Sequence, residues 1–225
     1  MKLTRPLLMP TVLIATSNAG KLRDFAGAAG PLGVTIQGIP RFHFLPEVVE
    51  DGATFEANAR KKAVEYSLHI PGGVVLADDS GLEVDALNGA PGVHSARYAA
   101  LDSGAATGNS PDVANNARVL RELVELELSG ATPEQRTARF VCRLAAARDG
   151  EVVAVFSGKV EGIILGAPRG DHGFGYDPLF FYPPLQRTLA ELTPEEKALV
   201  SHRGAAFREF LEWYKGGAKP ILNQT

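Results

Sequence analysis

Cys142 is the only cysteine among 225 residues, so the chain can form no internal disulfide and build no thiolate zinc cluster. That scarcity fits a reducing compartment. No apolar run approaches the roughly 20 residues needed to cross a bilayer, and Met1 to Pro10 holds too short an apolar stretch for a secretory signal. A cytoplasmic protein without a membrane partner is the expectation. Neither charge dominates: 23 Lys and Arg face 26 Asp and Glu, for a net charge of −3. Such a chain does not coat a nucleic-acid backbone by bulk charge. Any polyanionic ligand must be met locally, by a few cations, backbone amides or a metal. Repeats of fixed period and low-complexity tracts are missing too. What is present, 45% hydrophobic and 22% charged residues, is ordinary globular composition and excludes disorder. The length suits one domain or two closely packed lobes.

The apolar run Thr11–Ala15 predicts a buried strand. It stops at Thr16-Ser-Asn-Ala-Gly-Lys21, after which Leu22, Phe25 and Ala29 recur at helical spacing. Residues 34–37 predict a second strand. Thr54 to His69 predicts a helix with Phe55, Ala59, Ala63 and Tyr66 on one face, and Val74–Ala77 a third strand leading into Asp78-Asp79-Ser80-Gly81. Leu87 to Asp112, rich in small residues, predicts a long surface loop with little regular structure, and loops of that length are uncommon without a function. A further helix is expected over Pro111–Leu128, with Val113, Ala117, Leu120 and Val124 as its stripe. Two β-favouring runs, Thr137–Arg148 and Glu151–Ile164, meet at the hairpin signal Asp149-Gly150. The last helix is expected over Arg203–Lys215, with Phe207, Phe210, Leu211 and Tyr214 buried. Alternating strands and helices followed by an antiparallel ribbon argue for an α/β fold with a mixed sheet.

Thr16 to Lys21 supplies hydroxyls, an amide, a glycine and a lysine at a strand-to-helix turn, where free N–H groups suit phosphate oxygens. An ordinary helix cap with a solvated lysine fits it equally well. Asp78 and Asp79 offer hard oxygen ligands that suit Mg²⁺, or a carboxylate to orient water; a self-capping turn is the competing reading. Glu47, Glu50 and Asp51 form a second acidic run. Phe174, flanked by glycines in Gly173-Phe-Gly-Tyr-Asp-Pro178, offers a ring on which a purine can stack; a tight turn with core aromatics is the competing reading. His202 and Arg203 can donate to oxo groups or phosphates, though a helix-capping role fits His202 equally well.

Together these segments resemble the inosine triphosphate pyrophosphatase family (Ham1/RdgB-like, XTP/dITP diphosphatases). The resemblance rests on Thr16–Lys21, Thr54-Phe55 to Asn58-Ala59 with Lys62-Ala63, Ala77–Leu82, Gly89–Gly92 with Ser95–Tyr98, Gly173–Pro178 and Ser201–Gly204, in family order over about residues 11 to 215. One departure is Ala57 where the family usually has glutamate, with Glu56 beside it. Another is His172 before Gly173.

The resemblance implies an elongated mixed β-sheet with flanking helices and two lobes around a central nucleotide cleft, usually in a homodimer. Residues 11–217 would form this domain, between an extension (1–10) and a tail (218–225). It implies Mg²⁺-dependent hydrolysis of ITP, dITP and XTP to monophosphate and pyrophosphate, cleansing nucleotide pools of deaminated purines. Thr16, Ser17, Asn18, Ala19, Gly20 and Lys21 would hold the triphosphate, with Lys62 as a further cation. Asp79 would bind metal and accept a proton, with Glu50, or alternatively Glu47, as its partner on the metal. Ser80 would contact substrate. Phe174, Gly175, Tyr176, Asp177 and Lys197 would line the base pocket, and His202 with Arg203 would read the purine edge. The alternatives are a broader, Maf-like nucleotide pyrophosphatase and a nucleotide-binding protein without turnover.

Overall fold

The structure, a computed structural model, describes residues 11–103, 108–130 and 136–216; the expected extension and tail lie outside the described residues. Its strands are β1 (Thr11–Ile14), β2 (Thr35–Gly38), β3 (Val75–Val84), β4 (Thr137–Arg148), β5 (Glu151–Ile164), β6 (Phe180–Tyr182) and β7 (Arg187–Thr188). They form one sheet in the order β2-β1-β3-β4-β5-β6-β7. β1 pairs in parallel with β2 and β3, and the remaining pairs are antiparallel. The helices are α1 (Ala19–Ala29), α2 (Phe55–Ser67), α3 (Asp112–Leu128), α4 (Pro194–Val200) and α5 (His202–Lys215). The mixed α/β sheet with flanking helices is therefore as expected.

β3 is longer than its apolar run suggests. The polar tetrad Asp78–Gly81 does not leave the strand but continues it, because β4 pairs with every residue from Val75 to Val84. Backbone hydrogen bonds come from the neighbouring strand, so polar side chains do not end it. Successive side chains then face opposite sides of the sheet. Leu76 packs on one side with Phe25 of α1 and Phe207 and Phe210 of α5. Val75 and Ala77 pack on the other with Ala59, Ala63 and Tyr66 of α2. Farther along β3, Leu82 and Val84 belong to a separate core with Phe140, Val160, Leu179 and Val119. The tetrad thus occupies the seam where one apolar core ends and another begins.

Two local expectations need correction. The 87–112 segment holds more regular structure than expected, since short 3₁₀ turns cover Asp85–Leu87 and Gly92–Ser103. The buried face of α3 is Asn115, Val119 and Leu123, whereas Val113 and Ala117 are exposed and Val124 is 46% exposed. Asn115 takes the inward place because its side chain accepts from the Ala99 N–H (2.8 Å) and donates to the Ala96 carbonyl (3.2 Å), fastening the turns to the helix. A polar residue at that position misaligns the apolar period. The last helix stands as expected: α5 starts at His202 behind the Ser201 cap, and Phe207, Phe210 and Leu211 are buried, with Tyr214 half-buried.

Candidate active site

One cavity of about 540 Å³ gathers side chains from every motif of the sequence. Thr16, Ser17, Asn18 and Lys21 reach it from the β1–α1 turn, Glu47 and Glu50 from the segment before α2, and Lys62 from α2 itself. Asp78, Asp79 and Ser80 come from β3, Arg97 from the 92–103 turns, and Phe174, Gly175, Tyr176, Asp177, His202 and Arg203 close the far wall.

The β1–α1 turn is both cap and cavity wall. Asn18 Oδ1 accepts from the Lys21 N–H (3.1 Å) and Thr16 Oγ1 from the Asn18 N–H (3.1 Å), which satisfies helix-end donors. Lys21 reaches over to Asp78 at 3.1 Å. Ala19, which is exposed, and Gly20 do not themselves line the cavity; Gly20 is buried beneath Phe174, where a Cβ would lie 2.5 Å from the ring. Only glycine allows the aromatic to approach the turn that closely.

On the α1–α5 side of the sheet, Asp78 Oδ2 collects Lys21, the Ser80 hydroxyl (2.8 Å) and Arg203 Nε (3.4 Å). Burial alone would raise its pKa, but Lys21, Arg203 and Lys62 outweigh burial and hold the carboxyl well below the usual range. Its Oδ1 is buried without a hydrogen-bond partner. On the α2 side, Asp79 Oδ2 accepts from Asn58 Nδ2 (2.9 Å), and Oδ1 lies 3.8 Å from Lys62 Nζ. Lys62 Nζ in turn lies 2.8 Å from Glu50 Oε2. Burial, with Glu50 adding to it, pushes Asp79 up to about 6 despite Lys62, Lys21 and the Asn58 hydrogen bond. Burial opposes the charge on Lys62, but Asp79, Glu50 and Asp78 more than compensate and raise its pKa.

Two carboxylates on the cavity wall that share one ammonium are short of positive charge. That donor set fits Mg²⁺, which takes one or two carboxylates and fills its shell with water and phosphate. No group of three or more His, Cys, Asp or Glu poised to hold a metal exists among the described residues, so the site is no all-protein cage. Glu50 meets Lys62, the same cation that Asp79 meets; Glu47 lines the cavity without an ion pair among the described residues.

The opposite wall is aromatic. The Phe174 ring centroid lies 5.0 Å from both Lys197 Nζ and Arg203 Cζ. Lys197 itself does not line the cavity. It is buried, bound to Asp177 at 2.6 Å and Asp24 at 3.1 Å, and props the pocket from behind. Burial, with Asp24 adding to it, raises Asp177 despite Lys197, while Asp177 Oδ2 accepts from the Phe174 N–H (2.9 Å) and fixes the aromatic loop. Arg203 spends Nε, Nη1 and Nη2 on Asp78, Asp24 (3.0 Å) and Ser80 (2.7 Å). His202 is buried and stacks on Phe140 at 4.8 Å and 11°, with neither ring nitrogen partnered. Burial and the nearby Arg203 and Lys197 depress its pKa well below the ordinary value, so the ring is neutral near pH 7.

Sequence reasoning passed over Asn58 and Asp24. Asn58, 1% exposed, donates to Asp79 and accepts from the Gly52 N–H (2.7 Å), tying the acidic segment of Glu50 to the β3 carboxylate. Its place in the Thr54–Ala59 motif, facing the same way as Lys62 four residues on, is the signal that could have found it. Asp24 carries no local signal.

The Ham1 family profile matches residues 12–213. The chain is 46% identical over 207 residues to the dITP/XTP pyrophosphatase of Geobacillus kaustophilus, covering 92% of this chain and 95% of that one. It is 48% identical over 203 residues to the dITP/XTP pyrophosphatase of Acidobacterium capsulatum, covering 89% and 96%. The structure of a HAM1 protein from Coxiella burnetii superposes with a TM-score of 0.75 at 37% identity, covering 93% of this chain and all of the other.

Proposed function

The chain belongs to the Ham1 family, and from that membership we propose that it is a pyrophosphatase of deaminated purine nucleoside triphosphates. It hydrolyses dITP, ITP and XTP to the monophosphate and pyrophosphate with Mg²⁺, in the cytoplasm and as a homodimer, and so clears them from the nucleotide pool. The observation that carries the reading is the convergence of all six sequence segments on one cavity with acidic, basic and aromatic walls. The absence of a helix long and apolar enough to cross a membrane among the described residues accords with it. Residues 11–217 form one domain, with the two cores that flank the sheet before the tetrad as one lobe and the core of Leu82, Phe140 and Leu179 beyond it as the other.

In this reading the Thr16–Lys21 turn and Lys62 hold the triphosphate, and Glu50 and Asp79 hold the metal. Mg²⁺, when bound, neutralises phosphate oxygens and polarises the bond to be broken. Asp79 accepts the proton of the attacking water at Oδ1 as the water oxygen bonds to the α-phosphorus. The bond from that phosphorus to the bridging oxygen breaks, and pyrophosphate leaves with the electron pair. In the metal-free site the Asp79 pKa is raised to about 6, so the carboxylate is ionised near pH 7 yet more basic than an ordinary one. Ser80 helps to fix Asp78 and Arg203 beneath the substrate.

Phe174 stacks on the base, and His202, the member of the wall with unpartnered nitrogens, reads the 6-position with Arg203 behind it. An N–H donor there meets the 6-oxo group of hypoxanthine or xanthine but opposes the amino group of adenine. Pyrophosphate release from dITP, ITP, XTP, GTP and ATP with Mg²⁺ tests the reading. Release from the deaminated nucleotides at least about a hundredfold faster than from ATP is expected on such hydrogen-bond discrimination. Comparable rates on ATP and GTP would overturn it in favour of a broad, Maf-like enzyme, and binding without release would indicate a non-catalytic protein.

A further inference from the structure

Among the described residues, Lys21, Lys62, Arg97 and Arg203 are the ammonium and guanidinium groups that line the cavity. Three are committed to carboxylates: Lys21 to Asp78, Lys62 to Glu50 and Asp79, Arg203 to Asp24 and Asp78. Arg97 is different. No described carboxylate oxygen lies within 4.0 Å of it, and its one hydrogen bond runs from Nη2 to the Glu50 carbonyl at 3.3 Å. A guanidinium has five N–H donors, so most of the donors of this cavity-lining cation are not spent on described protein groups.

The chain on either side of Arg97 is firmly held. Ser95 Oγ donates to the Gly92 carbonyl (2.7 Å) and accepts from the Leu82 N–H (2.9 Å), docking the turns on β3. The contact is so close that a Cβ on Gly81 would lie 2.2 Å from Ser95 Oγ. On the other side Tyr98 is buried, and the Ala99 N–H is held by Asn115. Arg97 itself occupies the break between two turns (φ −126°, ψ 19°), which sends its side chain toward the acidic segment across the cavity. Buried anchors on both flanks of an uncommitted cation are what a preorganised anion contact requires.

Charge explains the need. Glu47, Glu50, Asp78, Asp79, Asp112 and Asp177 outnumber the four lining cations. A divalent metal brings that wall only to balance, and a triphosphate then adds about four negative charges. Arg97 is the lining cation not already offset.

We propose that Arg97 binds the pyrophosphate end of the triphosphate and stabilises it as leaving group. This rests on the function proposed above. Lys62, 3.8 Å from Asp79, serves the phosphorus under attack. Arg97, beyond 4.0 Å from Asp79 and hydrogen-bonded at the Glu50 backbone, serves the phosphates farther out.

The test pairs Arg97→Gln, which keeps an N–H for the Glu50 carbonyl but loses the charge, with Arg97→Lys, which keeps the charge. Calorimetric binding of pyrophosphate and of dIMP, each with Mg²⁺, is measured for wild type and both variants, alongside dITP turnover. Loss of a charge-assisted contact predicts pyrophosphate affinity and kcat/KM for dITP about tenfold or more lower in Arg97→Gln. dIMP affinity should stay within twofold, and Arg97→Lys should recover most of the loss. Unchanged pyrophosphate affinity in Arg97→Gln, or an equal loss for pyrophosphate and dIMP, overturns the proposal. Failure of the wild type to turn over dITP would sink the functional reading instead, while the pyrophosphate comparison would still judge Arg97.

Discussion

Asp78 and Asp79 are neighbours of identical chemistry on one strand, yet the sheet gives them opposite surroundings. Asp78 faces α1 and α5, where Lys21, Arg203 and Ser80 converge on one of its oxygens. Asp79 faces α2, where its nearest cation is 3.8 Å away and also serves Glu50. Both are buried, so desolvation pushes both upward; the count of cations decides which way each ends. Asp78 is held ionised and anchors the cations of the site, whereas Asp79 is left basic and under-compensated. Two carboxylates pushed apart by environment mark separate roles, and here the pleat of a strand does the separating.

The largest expected effect is on activity. Asp79→Asn should lower kcat/KM for dITP by about a hundredfold or more, the range of a lost general base. The same variant should be more stable than wild type at pH 8 without metal. The native pKa of Asp79 lies above its ordinary 3.8, so ionising it opposes folding. That penalty is absent below about pH 4 and develops as pH rises through about 6. Thermal unfolding of the two proteins at pH 4 and pH 8 measures it; an equal or lower melting temperature for Asp79→Asn at pH 8 would break the contrast.

Asp78→Asn should do the reverse. Removing the shared partner of Lys21 and Arg203 from a buried network costs on the order of 3 kcal/mol, read by denaturant unfolding at pH 7. This contribution has the opposite sign with pH: the lowered pKa makes Asp78 stabilising above about pH 4, and the benefit disappears on acidification. A fully stable Asp78→Asn would remove the anchor role. Arg203→Ala belongs with this variant, because Arg203 also balances Asp24, so activity and stability should fall together.

A smaller effect is expected at the aromatic wall, where neither carboxylate is touched. Phe174→Ala should raise KM for dITP about tenfold, the size of one base–aromatic stacking contact, while the Asp79-dependent pH profile stays in place. A shift of that profile would show that the walls are coupled.

The residues that make this contrast were legible in the sequence, but its geometry was not. Asp78 and Asp79 stood out as a pair, and alternation along a continuing strand would put them on opposite faces. The strand's length was hidden because the tetrad Asp78–Gly81 has turn composition, and only pairing with β4, some sixty residues later, keeps it extended. Local patterns succeeded where local physics decides, as in the helix expected from Thr54 onward and its Phe55, Ala59, Ala63, Tyr66 face. They failed where distant partners decide. Lys197 was expected in the pocket lining, but Asp24, 173 residues away, and Asp177 draw it into the interior. Asn115 took an inward place on α3 for a contact with another segment, which displaced the apolar stripe.

The separation of the two carboxylates is tested most directly by following their ¹³C carboxyl resonances with pH in the metal-free protein, assigned with Asp78→Asn and Asp79→Asn. Asp79 should titrate with a midpoint near about 6, while Asp78 stays ionised to below the usual carboxylate range. Both groups titrating together near 4, or Asp78 above Asp79, would contradict it.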